Sequence, residues 1–203
     1  MFTGIVEATG SIREVQDFES TRRFVIEAPF AAELGVGDSI SIDGACMTAT
    51  ELFPGAFSVD VIGTTLSKTV ASSYGESTRV NLERAMVMGG RMDGHIVQGH
   101  VDGIGRLTRR VKDGDFWLFD FEIPSSVAGG TIEHGSITLN GVSLTVAEVL
   151  ADQQVRIGVI PHTFESTNLG TLEAGAQVNV EGDVIGKYVA RILAQRGHRG
   201  EGL

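Results

Sequence analysis

Apolar and polar residues alternate with a period of two along most of the chain, which is the pattern of β-strands with one buried face. The alternation is clearest in six segments, namely residues 23–27, 39–42, 57–61, 119–123, 136–139 and 155–159. Asp43-Gly44 and Asn140-Gly141 lie between alternating stretches and predict tight hairpin turns. Short strands separated by turn residues at this spacing favour an antiparallel barrel or a sandwich.

The pattern occurs twice, once from Met1 to about Ala85 and again from Ile96 to about Asp183. The strongest match aligns residues 39–51 with residues 136–148, and five of these thirteen positions are identical. The offset between aligned residues of the two copies changes only from 95 to 98. The copies are therefore whole domains that differ by small loop insertions. We therefore expect two similar domains with two similar pockets.

Only the C-terminal segment shows helical spacing, with Ile185, Val189, Ile192 and Leu193 on one face. This amphipathic helix packs either on its own barrel or on another subunit, and the pattern by itself slightly favours its own chain. The glycine-rich residues 88–94 separate the two copies. The predicted domains are residues 1–92, residues 93–185, and a helix with a frayed tail over residues 186–203.

Composition argues against several partners. The net charge is −10 without a basic run, which argues against nucleic acid and anionic membranes. Cys46 is the single cysteine, so no internal disulfide forms, as is usual in a reducing compartment. No segment reaches the roughly 20 apolar residues that span a bilayer. We expect a cytoplasmic protein.

Equivalent positions of the two copies differ most in polar residues. When the two copies are aligned, Ile5 corresponds to His100 and Cys46 corresponds to Ser143. If residues 94–103 form a strand, His100 points outward, where it is either a surface histidine or a functional one. His95 then lies on the opposite face from His100, which argues against a metal site. A duplicated protein with such differences can hold two related molecules in unequal roles.

Two further groups have both a structural and a chemical interpretation. In each copy two polar residues share one face of a strand, namely Cys46 with Thr48 and Ser143 with Thr145. Each pair is either part of a pocket or an ordinary pair of strand residues. Asp183 follows the last strand and is either a carboxylate base or the N-cap of the final helix. The sequence contains no Gly-x-Ser-x-Gly elbow and no phosphate-binding glycine loop.

Four motifs in this order resemble the riboflavin synthase family of the alpha-chain type. They are Met1–Glu7, Gly94–Asp102, Asn140–Val146 and the Val-Asn-Val-Glu run of residues 178–181. The resemblance implies an all-β fold of two six-stranded antiparallel Greek-key barrels, each binding one 6,7-dimethyl-8-ribityllumazine, followed by a C-terminal helix. It also implies a homotrimer held by these helices, which reverses the preference stated above. The active site would lie between neighbouring subunits and use no metal or redox cofactor.

The resemblance also implies roles for individual residues. His100 and Ser143 would assist proton transfer or activate the attacking group, Cys46 and Thr48 would polarise the partner molecule, and Asp183 would lie near the transfer centre. The N-terminal pocket would be closed by Phe2 and lined by Gly4, Ile5, Val6, Cys46, Met47, Thr48, Asp60, Val61, Ile62, Gly63, Thr64 and Thr65. The C-terminal pocket would be lined by Gly99, His100, Val101, His134, Ser143, Leu144, Thr145, Ile160, Pro161, His162, Thr163, Phe164 and Glu165.

Two positions depart from the family pattern, because Asp43 stands where many relatives have a neutral amide and His134 where a lysine is common. The main alternative is a lumazine or flavin carrier without turnover, since fold alone does not determine function. Such carriers tend to lose reactive side chains in one barrel, whereas both copies keep them here. A flavin reductase would need a nucleotide-binding α/β domain, and the sequence has no pattern for one.

Overall fold

The computed structural model describes residues 1–151 and 153–197. The first copy forms a closed barrel of six antiparallel strands in the order β1-β2-β5-β4-β3-β6. These strands are β1 (Ala8–Asp17), β2 (Thr21–Glu27), β3 (Ser39–Ile42), β4 (Ala45–Phe53), β5 (Ala56–Ile62) and β6 (Arg79–Arg84). The connections from β2 to β3 and from β5 to β6 join strands that are not neighbours, as in a Greek key.

The second copy repeats this barrel with the order β7-β8-β11-β10-β9-β12 around the ring. Its strands are β7 (Gly103–Asp113), β8 (Phe116–Glu122), β9 (Ser136–Leu139), β10 (Val142–Leu150), β11 (Gln154–Val159) and β12 (Gln177–Gly182). Within the described residues, four α-helices accompany the strands, namely α1 (Gly63–Lys68), α2 (Ser125–Ala128), α3 (Pro161–Ser166) and α4 (Val184–Gly197). The predicted all-β fold with two antiparallel barrels and a final helix is confirmed.

The hairpin predictions are also confirmed. Residues 43–44 connect β3 to β4, and residues 140–141 connect β9 to β10. All four turn residues have positive φ, which glycine and the short polar residues Asp and Asn adopt most readily. The alternating apolar side chains fill each barrel, as Phe24 and Ile26 of β2 and Phe119 and Phe121 of β8 are completely buried.

The predicted strand over residues 94–103 is wrong. Regular pairing begins only at Gly103, and the preceding residues form one isolated bridge between Val97 and Phe2. Gly99 has a φ of +77°, which breaks the alternation of side chains along a strand. His100 is nevertheless exposed, as expected.

Helix α4 begins directly after Asp183, whose carboxylate accepts a hydrogen bond from the Ile185 N–H at 2.9 Å. The N-cap interpretation of Asp183 is therefore confirmed. The helix was predicted to begin at residue 186, two residues later than observed, and the predicted tail over residues 198–203 lies outside the described residues. Across the described ranges, no helix is both long and apolar enough to cross a membrane.

Buried polar side chains join the two barrels. Asp43 accepts hydrogen bonds from the Asn81 N–H at 2.7 Å, the Asn168 side chain at 2.8 Å and the Tyr74 hydroxyl at 2.7 Å. Burial raises the pKa of Asp43 to about 7, although these donors oppose the shift. Asn168 belongs to the second copy, so this network holds the barrels in one arrangement.

Candidate functional site

Two segments cross between the barrels, and we call residues 2–6 and 97–101 the bridging segments. Phe2 and Val97 are completely buried and exchange two main-chain hydrogen bonds, at 2.8 and 3.1 Å. The segments run antiparallel through this pair, so Gly4 and Gly99 lie on opposite sides of it. Phe2 was expected to close the N-terminal pocket, and in the structure its side chain is completely buried with the ring beside Gly99.

Each bridging segment docks on the barrel of the other copy. The Gly4 carbonyl accepts a hydrogen bond from the Ser143 N–H at 2.7 Å, and the Gly99 carbonyl accepts one from the Cys46 N–H at 2.9 Å. Val6 packs against the core of the second barrel. Gly4 and Val6 were expected in the N-terminal pocket, but these contacts place them beside the second barrel, whereas Ile5 lines a cleft together with Thr3, Glu83 and Arg84 of the first copy.

The second bridging segment shows the reverse exchange. Val101 packs against the core of the first barrel, and Gly99 lies beside β4. Gly99 and Val101 were expected in the C-terminal pocket, but they contact the first barrel, while the His100 N–H is bound by Glu181 of β12. Sequence patterns do not reveal this exchange, because each segment has the same alternation and could complete either barrel.

The two glycines make this close approach possible. A Cβ atom on Gly4 would lie 2.6 Å from the Ser143 Cβ, and one on Gly99 would lie 2.6 Å from the Cys46 Cβ. Both residues also have positive φ, at +76° and +77°, which disfavours side chains. Only glycine brings these carbonyls within hydrogen-bonding distance of the strands.

Two buried carboxylates, which we call the anchor glutamates Glu83 and Glu181, hold the bridging segments. Glu83 accepts hydrogen bonds from the Thr3 N–H at 2.6 Å, the Thr3 hydroxyl at 2.7 Å and the Gly4 N–H at 3.0 Å. Glu181 occupies the equivalent position in the second copy and accepts from three successive N–H groups. Burial raises the pKa of both carboxyl groups.

The paired polar residues of β4 and β10 share one strand face in each barrel, as predicted, and this face points outward. Cys46 and Thr48 are exposed, Ser143 is half-buried and Thr145 is exposed. By contrast, the side chains of Met47, Leu144 and Val61 are buried in the barrels. For these three residues only the main chain is available to a ligand.

His95 is a site residue that the sequence reasoning missed. Its Nδ1 lies 2.7 Å from the Ser143 hydroxyl, and its Nε2 lies 3.1 Å from the Thr138 hydroxyl. Burial lowers the pKa of His95 despite the opposing charge of Asp183, which favours a neutral ring. In the tautomer protonated at Nε2, Nδ1 accepts the Ser143 hydroxyl proton. His95 and Ser143 are 48 positions apart in the sequence, so no local pattern indicates this pairing.

The other candidate polar residues lie around these strands. His100 is exposed and half-buried Asp183 caps α4, while the main chain of His134 donates to Val146 at 2.7 Å from a φ of +61°. Asp60 forms two hydrogen bonds with Arg23, which lowers the pKa of its carboxyl group. Asp60 is thus already paired, which limits its use as a ligand contact.

The segments after β5 and β11 form helices α1 and α3, each preceded by an exposed isoleucine. Ile62 and Ile160 are 55% and 57% exposed and offer apolar surface at equivalent positions. Phe164 of α3 instead stacks on Trp117 at 4.6 Å between ring centroids, so it secures the helix to the barrel. Among these candidates, Gly63, Thr64, Pro161, His162 and Glu165 are exposed, whereas Thr65 and Thr163 are half-buried.

Comparison with known proteins identifies the repeat. The lumazine binding domain matches the chain twice, over residues 3–85 and 98–183. The riboflavin synthase of Mycobacterium tuberculosis (strain ATCC 25618 / H37Rv) is 41% identical over 201 residues, covering 97% of this chain and 100% of that protein. The riboflavin synthase of Bacillus subtilis (strain 168) is 38% identical over 194 residues, covering 95% and 90% respectively.

Solved structures show the same arrangement of barrels. LumP complexed with riboflavin superimposes with a TM-score of 0.83 at 25% identity, covering 90% of this chain and 99% of that one. LumP complexed with flavin mononucleotide gives a TM-score of 0.80 at 26% identity with the same coverage. The two domain matches and the full-length similarity agree with the duplicated geometry, and the chain therefore belongs to the riboflavin synthase family, built from two lumazine binding domains.

Proposed function

We propose that this protein catalyses the dismutation of two 6,7-dimethyl-8-ribityllumazine molecules. A four-carbon unit passes from one to the other, giving riboflavin and 5-amino-6-ribitylaminouracil. The observation that carries the proposal is that two equivalent faces present different reactive groups, Cys46 with Thr48 on β4 and Ser143 with Thr145 on β10. Such a pair of faces suits two copies of one molecule in unequal roles.

Each lumazine would lie beside a strand and the bridging segment docked on it. The first site would use Cys46, Thr48, residues 60–65 and residues 99–101. The second would use Ser143, Thr145, residues 160–165, Gly4, Val6 and His134. These assignments follow the observed hydrogen bonds of Gly99 and Gly4 to the two strands.

The chemistry needs little beyond placement and proton transfer. The C7 methyl group of the lumazine is acidic because the carbanion is delocalised into the pteridine. His100 would transfer this proton or activate the attacking group at the first site. Ser143, with His95 as its hydrogen-bond acceptor, would transfer the proton or activate the attacking group at the second site. Holding the two rings face to face converts an encounter in solution into a local reaction.

Incubation with the lumazine alone tests the function. We expect riboflavin and the aminouracil in equal amounts, with two lumazines consumed for each riboflavin over many turnovers. Absorbance distinguishes riboflavin formation from simple binding. A tight coloured complex that never yields riboflavin would instead support the carrier alternative.

We also propose that α4 assembles the protein into a homotrimer whose active sites lie between subunits. Its apolar residues are exposed in the single chain, with Ile185 at 63%, Tyr188 at 68%, Ile192 at 50% and Leu193 at 61%. A cleft of about 300 Å³ beside α2 is lined by two of these side chains, Ile185 and Leu193, together with Val189. Contiguous exposed apolar surface of this kind indicates an interaction site.

The Ile192→Asp variant tests this assembly. We expect it to elute as a smaller species in size-exclusion chromatography with light scattering and to lose riboflavin formation, because a charge would be buried between subunits. Arg191→Asp changes the neighbouring exposed residue on the other face of α4 and should remain trimeric and active. A wild-type monomer would contradict the trimer, and a fully active Ile192→Asp monomer would contradict an active site shared by subunits.

A further inference from the structure

Glu181 lies almost completely buried, at 2% exposed, and accepts hydrogen bonds from three consecutive main-chain groups. These are the N–H groups of Gln98 at 2.8 Å, Gly99 at 3.0 Å and His100 at 3.0 Å. Glu181 ends the Val-Asn-Val-Glu run of β12, a repeated motif to which the proposed reaction gives no role. Its carboxylate thus contacts the segment that carries His100.

The main chain at His100 is fixed from two directions. Its own N–H is bound by Glu181, and the carbonyl of the preceding Gly99 accepts from the Cys46 N–H at 2.9 Å. These bonds leave mainly the side-chain torsions of His100 free. The placement of its imidazole relative to β4 therefore depends on a carboxylate from the second barrel.

A charged group suits this position better than its neutral amide. Only a carboxylate offers acceptor oxygens at both ends, whereas a glutamine would turn its NH2 group toward an N–H donor. Burial raises the pKa of Glu181, whereas the Gln98 N–H and Lys187 oppose this shift, and Lys187 itself contacts Asp102 at 2.6 Å. The three N–H groups are thus the direct partners of the buried charge, through charge-assisted hydrogen bonds.

We propose that Glu181 is a positioning residue that holds His100 in its reactive orientation at the site on the first barrel. This inference rests on the proposed function of His100. Glu83 anchors the other bridging segment in the same way, but that segment carries Ile5 in place of His100. The Ile5 N–H bonds to the Thr3 hydroxyl at 3.2 Å, and that hydroxyl donates to Glu83. Glu83 is therefore a matched control for anchoring without a histidine.

A double-mutant cycle with His100→Gln tests the inference. We expect Glu181→Gln to lower kcat by between about 10-fold and 100-fold, as a small misplacement of a reacting group does, with KM nearly unchanged. In the His100→Gln background the same change should cost little further activity, because the positioned group is gone. Glu83→Gln should cost the same factor with or without His100.

A Glu181→Gln effect that stays equally large in the His100→Gln background would overturn the positioning role and leave only a structural one. Glu181→Asp keeps the charge on a shorter side chain. It replaces Glu181→Gln in the double-mutant cycle if the glutamine variant fails to fold. Its expected loss of kcat also disappears without His100. Persistence of that loss would count against the proposal as well.

A readout without turnover separates this inference from the proposed function. The ring of His100 in the ligand-free, ¹⁵N-histidine-labelled protein is assigned by its disappearance in His100→Gln. We expect its NMR signal to broaden or split in Glu181→Gln and to stay unchanged in Glu83→Gln. An unaltered signal in Glu181→Gln would overturn the positioning role. A wild-type protein that makes no riboflavin would overturn the proposed function instead.

Discussion

Replacing His100 by alanine is expected to lower the kcat for riboflavin formation by about 100-fold or more, the usual contribution of a general acid–base group. The lumazine dissociation constant should change little. His100 is exposed next to Gly99, whose carbonyl is bound to Cys46 of β4, and removal of the imidazole leaves the main-chain contacts of the segment in place. Steady-state kinetics and lumazine fluorescence titration measure the two quantities separately.

His100→Gln is the matched variant, since it keeps similar size and hydrogen-bonding capacity but cannot accept a proton near neutral pH. We expect it to bind lumazine like the wild type and to turn over as slowly as His100→Ala. Glutamine restoring most of the activity would show that hydrogen bonding suffices. Equal losses of kcat and affinity in the alanine variant would show that His100 only shapes the pocket.

The architecture could be predicted because its signals are local or repeated. Alternation in segments such as residues 119–123 predicts strands, and the Asp43-Gly44 and Asn140-Gly141 pairs predict the hairpins that close β3 to β4 and β9 to β10. The helical spacing after Asp183 predicts α4 in the same way. These patterns depend on each residue's near neighbours, which the sequence displays directly.

The exchange of bridging segments could not be predicted, because it is decided by contacts between distant residues. Alternation alone made residues 94–103 a strand, but Gly99 adopts a left-handed conformation and directs its carbonyl to Cys46. His95 was judged only as a metal ligand, whereas its partners are Ser143 and Thr138. The site is thus assembled from both copies, although each copy looks complete in sequence.

The contact between the two hairpin turns has similar consequences for stability. A Cβ on Gly44 would lie 2.8 Å from the Gly141 main-chain nitrogen, and one on Gly141 would lie 2.6 Å from the Gly44 nitrogen. Main-chain atoms cannot move aside as a flexible side chain can. The two barrels therefore approach each other at a pair of glycines, next to the buried Asp43 network.

Gly44→Ala is accordingly expected to lower the free energy of unfolding by about 3 kcal/mol, from left-handed strain of about 1 kcal/mol and overpacking of about 2 kcal/mol. For a chain of this size the melting temperature should fall by about 6–12 °C in calorimetry.

Gly55→Ala is the matched control, because Gly55 has a φ of +71° in the turn between β4 and β5 but no atom near its added Cβ. Gly55→Ala introduces the left-handed strain without the close contact, so its melting temperature should fall by only about 2–4 °C. Equal shifts in the two variants would mean that the barrels do not meet at Gly44 and Gly141.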